Sequence, residues 1–285
     1  MIICKTKLEL RQNLKKWRRK GERVGAVPTM GALHQGHLSL IAAAKEKSDR
    51  TVATIFVNPL QFGPNEDFET YPRDMERDFE MLEASGCDLV FAPEHADLFA
   101  PDFSTRISVA GVGEGHCAQT RPQFFDGVAT IVTKLLMNLS PDVAVFGEKD
   151  YQQLTVIKRL VRDLDIPVEI IGAPIIREED GLAMSSRNQY LTPSERAAAP
   201  VLYETINLAA DKFIGAGSGW SKIHDWAAAR ILKAGFSKVD YLNMVDVDTL
   251  EPMDKLDRPA RLLAAAWIGR TRLIDNIAVT GPGSA

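Results

Sequence analysis

Residues 24–45 read VGAVPTMGALHQGHLSLIAAAK, and the reading of this stretch decides the fold. An apolar run, Val24 to Val27, stops at Pro28 and Gly31. Two imidazoles follow, His34 and His37, with Gly36 between them, and then the helix-like run Leu38–Lys45. A strand feeding a glycine-containing turn and a helix is the opening unit of a parallel α/β sheet. It is also a ready site for phosphate. The first helical turn offers N–H groups without intrahelical partners and the positive end of the helix dipole. Gly36 lets the backbone approach a ligand closely. Histidines three apart on an opening helix share a face, so both rings can donate to one phosphate. Such chemistry suits a nucleoside triphosphate. His-x-x-His also occurs in metal sites, but no third ligand lies nearby, and His95, His116 and His224 are scattered. Two unrelated histidines on an ordinary surface helix are the remaining reading.

Outward from this stretch, short β-branched runs alternate with helical patterns. Strands are expected at Arg23–Val27, Thr51–Val57, Leu89–Ala92, Val143–Phe146 and Val168–Ile171. Helices are expected at Leu38–Ser48, Arg73–Ala84, Gly127–Asn138 and Tyr151–Leu164, with Asp126 capping the third and Gly86 ending the second. Strands that read apolar throughout, separated by helices, imply a Rossmann-like parallel sheet with helices on both faces. Ligands of such sheets bind at the carboxyl ends of the strands. Pro28–His37, Asn58–Gly63, Gly147–Asp150 and Ala173–Ile176 all follow strands and are therefore expected to converge on one cleft. Residues 100–122 break the rhythm and read as an excursion, an edge strand plus a loop.

Past Ile176 the pattern changes. Two helical patterns, Pro193–Phe213 and Ser221–Ala234, precede strands near Lys238–Val245, Ala260–Ile268 and Thr271–Ala278. Strands separated by turns describe a smaller α+β C-terminal domain. The expected division is a nucleotide-binding domain over 1–176 and a lid-like domain over 177–285. Gly215–Gly219 reads as a loop inside the latter, and the tail Gly281–Ala285 as frayed.

Composition narrows the partners. The chain has 285 residues, 45% hydrophobic and 25% charged, as in an ordinary globular protein with about two domains. Lys and Arg number 34 against 38 Asp and Glu, a net charge of −4, without the basic footprint of a nucleic-acid binder. Cys4, Cys87 and Cys117 are widely spaced and odd in number, so no disulfide framework follows and a reducing compartment is expected. Neither a secretory leader nor an apolar run near ~20 residues is present, which predicts a cytoplasmic protein that does not engage membranes.

Three more clusters carry chemistry. Asn58 and Gln61 offer paired donors and acceptors suited to a hydroxy acid, or they tie down their own loop. Lys149, after Gly147, can place a flexible cation against a triphosphate, while Asp150 can take a ribose hydroxyl or a magnesium-bound water, or cap the next helix. Ser185, Ser186 and Arg187, on a mobile-looking loop, can close over departing phosphates or form a surface turn.

With these residues assembled, the chain closely resembles the pantoate–β-alanine ligase (pantothenate synthetase) family, within the HIGH-type nucleotidyltransferases. The segments that carry the resemblance are PTMGALHQGH (28–37), FVNPLQFGPNEDFETYPRD (56–74), FFDGVATIV (124–132), FGEKDYQQL (146–154) and DGLAMSSRN (180–188). The resemblance implies ATP-dependent condensation of pantoate with β-alanine through a pantoyl adenylate, with release of diphosphate and then AMP. It implies Mg²⁺ accompanying ATP, with unknown protein ligands, and a homodimer. By matching, His34, His37, Lys149 and Arg187 are catalytic, and His37 is the family's proton donor. Met30, Gly31, Ala32, Leu33, His34, Gln35, Gly36 and His37 line the ATP site. Gly147, Glu148, Lys149, Asp150, Ile176, Met184, Ser185, Ser186 and Arg187 complete it. Gln61 and Gln153 hold pantoate, and Gln61 also lies near β-alanine. Arg121 matches a flexible active-site segment, Tyr71 a position near the cleft, and Asp78 an acidic position near the nucleotide. The superfamily's Lys-Met-Ser-Lys-Ser signature appears here as Ala183-Met184-Ser185-Ser186-Arg187, without either lysine. That leaves Lys149 and Arg187 to supply positive charge and disfavours a tRNA-charging enzyme. A coenzyme adenylyltransferase and a non-catalytic nucleotide-binding paralogue are the other readings.

Overall fold

The computed structural model describes residues 1–63 and 66–280. Pro64, Asn65 and the expected frayed tail, Gly281–Ala285, lie outside the described residues. The chain forms two compact units. The first comprises Met1–Gly113, Arg121–Glu148 and Gln153–Pro174; the second comprises Glu114–Thr120, Lys149–Gln152 and the chain from Ile175 on. A single cut after Ile176 does not capture this division, because two short earlier segments group with the second unit.

The first unit begins with β1 (Ile2–Cys4), α1 (Lys7–Arg18), β2 (Val24–Thr29), α2 (Gln35–Lys45) and β3 (Arg50–Ile55). It continues with α3 (Met75–Ala84), β4 (Leu89–Phe91) and a one-turn α4 (His95–Leu98). After the short α5 (Cys117–Thr120), which groups with the second unit, come α6 (Phe124–Leu139), β5 (Val143–Gly147), α7 (Tyr151–Asp163), whose first two residues also group with the second unit, and β6 (Glu169–Ala173). The six strands form one sheet in the order β1-β4-β3-β2-β5-β6, and every pairing is parallel. From β2 the chain winds outward through β3 to β4, then crosses back to β5 on the other side of β2. The order reverses between β2 and β5, the crevice where doubly wound sheets bind ligands.

Burial explains why the strands read apolar throughout. Val27, Ala53, Val90, Val143 and Val145 pack with Leu40, Ile41 and Leu82 from α2 and α3. The alternating residues Ala26, Val52 and Ala144 are also fully buried, so the opposite face is covered too. There α6 packs on β2, and α1 packs on α6. Thr6 starts α1 through a reciprocal capping box with Glu9.

Several expectations are corrected. The α6 helix begins at Phe124 behind Gln123, so Asp126 is an acid in its first turn and not its cap. No strand lies within 100–122; the Ile107 N–H is taken by Thr130 Oγ1 at 3.0 Å instead of by a ladder, and Gly111, His116 and Gly115 all adopt positive φ. Gly86, with φ +75°, does follow the end of α3 as expected.

The second unit contains α8 (Pro193–Ala198), α9 (Val201–Ala216), α10 (Trp220–Lys233), β7 (Lys238–Asp246), β8 (Ala260–Ile268) and β9 (Thr271–Val279). Its sheet is antiparallel in the order β7-β8-β9. Leu202, Ile206 and Phe213 of α9 and Ile231 of α10 pack with Leu242, Leu262, Ala264 and Ala266 of the sheet. The single helix expected over Pro193–Phe213 is two, because Pro200 has no N–H to continue the first ladder. The α9 helix runs to Ala216 and stops at Gly217, φ +70°, which shortens the expected glycine-rich loop.

Candidate active site

The turn after β2 is built by two long-range clamps. Thr29 Oγ1 donates to Thr54 O at 2.7 Å and accepts the Gly31 N–H at 3.2 Å. Gly31 (φ +82°) and Ala32 (φ +51°) are both left-handed, which only glycine adopts without strain. A Cβ on Gly31 would also lie 2.8 Å from Asp78 Oδ2. That carboxylate holds the turn, accepting the Ala32 N–H at 2.9 Å and the Leu33 N–H at 2.8 Å. Asp78 comes from α3 and is almost fully buried. Burial pushes its carboxyl up, and the two N–H groups offset part of that rise.

Asp78→Ala would leave the buried Leu33 N–H and the half-buried Ala32 N–H without an acceptor. We expect it to cost about 2–4 kcal/mol of stability in urea unfolding, at ~1–3 kcal/mol for the buried group and ~1 kcal/mol for the half-buried one. Asp78→Asn, which keeps an accepting oxygen, should lose clearly less. Equal losses would show that the turn does not depend on this acceptor.

His34 is the N-cap of α2, not a residue on its face, and this corrects the picture of two histidines on one helical stripe. Its Nδ1 accepts the Gly36 N–H at 3.1 Å, while His37 Nδ1 accepts the His34 N–H at 3.3 Å. The two imidazoles form a reciprocal capping box, with ring centroids 4.2 Å apart. With Nδ1 accepting, each neutral ring carries its proton on Nε2. Both histidines are thereby set as Nε2–H donors at a helix N-terminus, where an anion is favoured.

Beyond β3, Asn58 and Gln61 part company. Asn58 is fully buried and donates to Gln61 Oε1 at 3.1 Å and to Gly127 O at 3.1 Å. Its Oδ1 caps a short 3₁₀ turn, Pro59–Gln61, at the Leu60 N–H. Asn58 therefore braces its own loop. Gly127 is needed there, since a Cβ would lie 2.1 Å from Leu60 O. Gln61 places its amide Nε2 2.9 Å from Met30 Sδ, joining the loop after β3 to the turn after β2. Arg121 donates to Gln61 O at 2.9 Å, forks onto Glu66 and lies over the Phe124 ring. Tyr71 is buried edge-on against Phe62. Gln153 is the third residue of α7 and half-buried.

In the second unit, Lys149 and Asp150 sit in a short 3₁₀ turn directly after β5, with Lys149 Nζ 4.0 Å from Asp150 Oδ2. Asn276 Nδ2 donates to Lys149 O at 2.9 Å. Gln152, which sequence reading passed over, is buried; it accepts the Cys117 N–H at 3.1 Å and donates to Glu114 O at 3.0 Å. The segment expected to be a loose loop is tied down. Met184 N–H donates to Ile176 O at 3.0 Å, and Asn188 donates to Glu178 Oε1 and Ala183 O. Arg196 pairs with Glu178 and Asp180. Ser185 Oγ caps the turn Ser186–Tyr190 at the Arg187 N–H.

A doubly wound sheet with a doubly histidine-capped helix at its switch point is the architecture of a nucleotide-binding α/β protein. The chain belongs to the pantoate-beta-alanine ligase family, whose pattern it matches over residues 2–278. It is 54% identical over 277 residues to the pantothenate synthetase of Paramagnetospirillum magneticum, covering 97% of each chain. With that of Rhodospirillum rubrum it shares 53% over 281 residues, covering 97% of this chain and 98% of the relative. The solved pantothenate synthetase of Thermus thermophilus superposes with a TM-score of 0.89 at 44% identity, covering 98% of this chain and all of that one (100%). The pantoate-beta-alanine ligase of Francisella tularensis, solved with beta-gamma ATP and beta-alanine, superposes with a TM-score of 0.79 at 35% identity, covering 97% of each.

Proposed function

We propose that this ligase joins pantoate to β-alanine with ATP, through an enzyme-bound pantoyl adenylate, and releases diphosphate, AMP and pantothenate. The observation that carries the reading is the histidine capping box at the β2–α2 turn, which presents two Nε2–H donors beside the backbone donors of a helix start. In this reading the pantoate carboxylate attacks the α-phosphorus, and the amine of β-alanine then displaces AMP. No protein nucleophile is required; positioning and neutralisation of phosphate charge supply the catalysis.

By likeness to the family, Met30 to His37, Gly147 and Glu148 serve ATP, and Gln61 and Gln153 serve pantoate, with Gln61 also serving β-alanine. His37 acts as proton donor. Lys149, Asp150, Ile176 and Met184 to Arg187 are assigned to ATP by the same likeness, with Lys149 and Arg187 as the cations that neutralise its phosphates. Magnesium enters as part of the substrate. No cluster of three or more His, Cys, Asp or Glu side chains fit to hold a metal occurs among the described residues. Mg²⁺ bound mainly by phosphates and water suits such a protein, and the Asp150 carboxylate can take one of those waters. The three cysteines are free and buried, which agrees with a reducing, cytoplasmic setting. Among the described residues no helix is long and apolar enough to cross a membrane. The same reading makes the protein a homodimer, which sedimentation at micromolar protein checks.

Complete turnover should yield one AMP for each pantothenate and no ADP, followed by chromatography of the nucleotides. Production of ADP would replace the adenylate with an acyl phosphate. A dinucleotide product would turn the reading to a coenzyme adenylyltransferase.

A further inference from the structure

Two adjacent buried residues of β9, Asp275 and Asn276, anchor the two segments of the second unit that are assigned to the nucleotide. Asp275 is almost fully buried and takes a two-point fork from Arg177, Nη1 to Oδ2 at 2.7 Å and Nη2 to Oδ1 at 2.8 Å. Arg177 is further fixed by donating to Gly181 O at 3.0 Å and by lying 3.6 Å from the centre of the Tyr203 ring. Gly181, at φ +91°, packs on the same ring, where a Cβ would come within 2.6 Å of it. Arg177 bridges to Ala183, the residue before Met184, so the fork fixes the base of the chain that carries Met184–Arg187.

The next residue on β9 anchors the other segment. Asn276 gives its N–H to Asp275 Oδ1 at 2.7 Å and its side-chain Nδ2 to Lys149 O at 2.9 Å. Asn276 is also almost fully buried, so this bond is shielded from competing water. Burial pushes the Asp275 carboxyl up, and the Arg177 fork, the Asn276 N–H and the charge of Lys149 offset part of that rise.

We propose that Asp275 and Asn276 are positioning residues for adenylation, setting Lys149 and the Met184–Arg187 segment in fixed register so that both cations meet one triphosphate. The inference rests on the assignment of Lys149 to the phosphates. It requires no change in fold, only the loss of a register that two hydrogen-bonded anchors maintain. Misplacing a charge-bearing group by about an ångström can cost on the order of 10–100-fold in rate.

The test compares Asn276→Ala, Lys149→Ala and the double variant in two half-reactions: pantoate-dependent exchange of diphosphate into ATP, and amide formation from supplied pantoyl adenylate. Asn276→Ala should slow exchange on the order of 10–100-fold, through turnover and not through KM for pantoate. Amide formation should stay nearly unchanged. In the double variant the loss should be close to that of Lys149→Ala alone, because the two residues act through one group. Should Asn276→Ala fail to fold, Asp275→Asn, which keeps the size and one accepting oxygen, should show the same split. Additive losses, or equal slowing of both half-reactions, would overturn the positioning role. Unchanged exchange in Asn276→Ala beside a slow Lys149→Ala would overturn it alone, whereas unchanged exchange in Lys149→Ala would overturn the assignment of Lys149 itself.

Discussion

Alanine at His37 or at Lys149 is expected to slow adenylation on the order of 10²–10³-fold, the loss typical when one preorganised charge-stabilising contact is removed. The two substitutions act on different structures. His37→Ala removes the acceptor of the His34 N–H together with a ring donor at the start of α2. Part of its effect should therefore appear as a weakened helix start, read as a lower unfolding midpoint. Lys149→Ala removes a cation whose side chain is about one-fifth exposed and whose backbone is held independently by Asn276. Its fold should be preserved. Supplying pantoyl adenylate should restore most amide formation in Lys149→Ala, since the phosphates we propose that lysine to neutralise have then already left. Single-turnover kinetics from ATP and from the adenylate separate these outcomes. Equal slowing from both starting points would remove Lys149 from the adenylation step.

The second large effect concerns Gln61. Its amide is buried, with Oε1 occupied by Asn58 and Nε2 against Met30. A neutral amide can orient a hydroxy acid without fixing a counter-charge to the carboxylate that must attack. Gln61→Glu keeps the size but would set an anion beside the anionic substrate we propose for Gln61, and it faces Met30 with an acceptor where a donor stood. Pantoate use should fall sharply while ATP binding stays nearly intact. Gln61→Ala should lose orientation only, ~1–3 kcal/mol for an unmade buried polar contact. Calorimetry with ATP alone, set beside steady-state kinetics in pantoate, reads the difference. Unchanged pantoate kinetics in both variants would mean that Gln61 only braces its loop, as Asn58 does.

The comparison of Asn58 with Gln61 shows where sequence reading stops. Both lie in one motif, and residue type could not separate a bracing amide from one directed at Met30. The strand, turn and helix of 24–45 were legible because their signals are local: an apolar run, a glycine and a helical repeat. The parallel sheet followed from the same alternation. Asp78 was visible only through family likeness, since the N–H groups it accepts are 45 and 46 positions away. The role of His34 as a cap was hidden for another reason. Histidine is not an ordinary N-cap residue, and its spacing to His37 fits a helical face equally well. Pro200 was in plain view, yet the apolar periodicity on both sides of it masked the break. The three-residue β1 carries too few positions to show a period, and two of them, Ile2 and Ile3, are exposed. Asp275 and Asn276 carried no local signal either. Their partners, Arg177 and Lys149, lie 98 and 127 positions away.

Exchange of labelled diphosphate into ATP, with pantoate present or absent and β-alanine withheld throughout, tests the central claim most directly. A pantoyl adenylate formed reversibly at the histidine-capped helix requires exchange that appears with pantoate and vanishes without it. Exchange that ignores pantoate, or that begins only when β-alanine is added, would contradict the account.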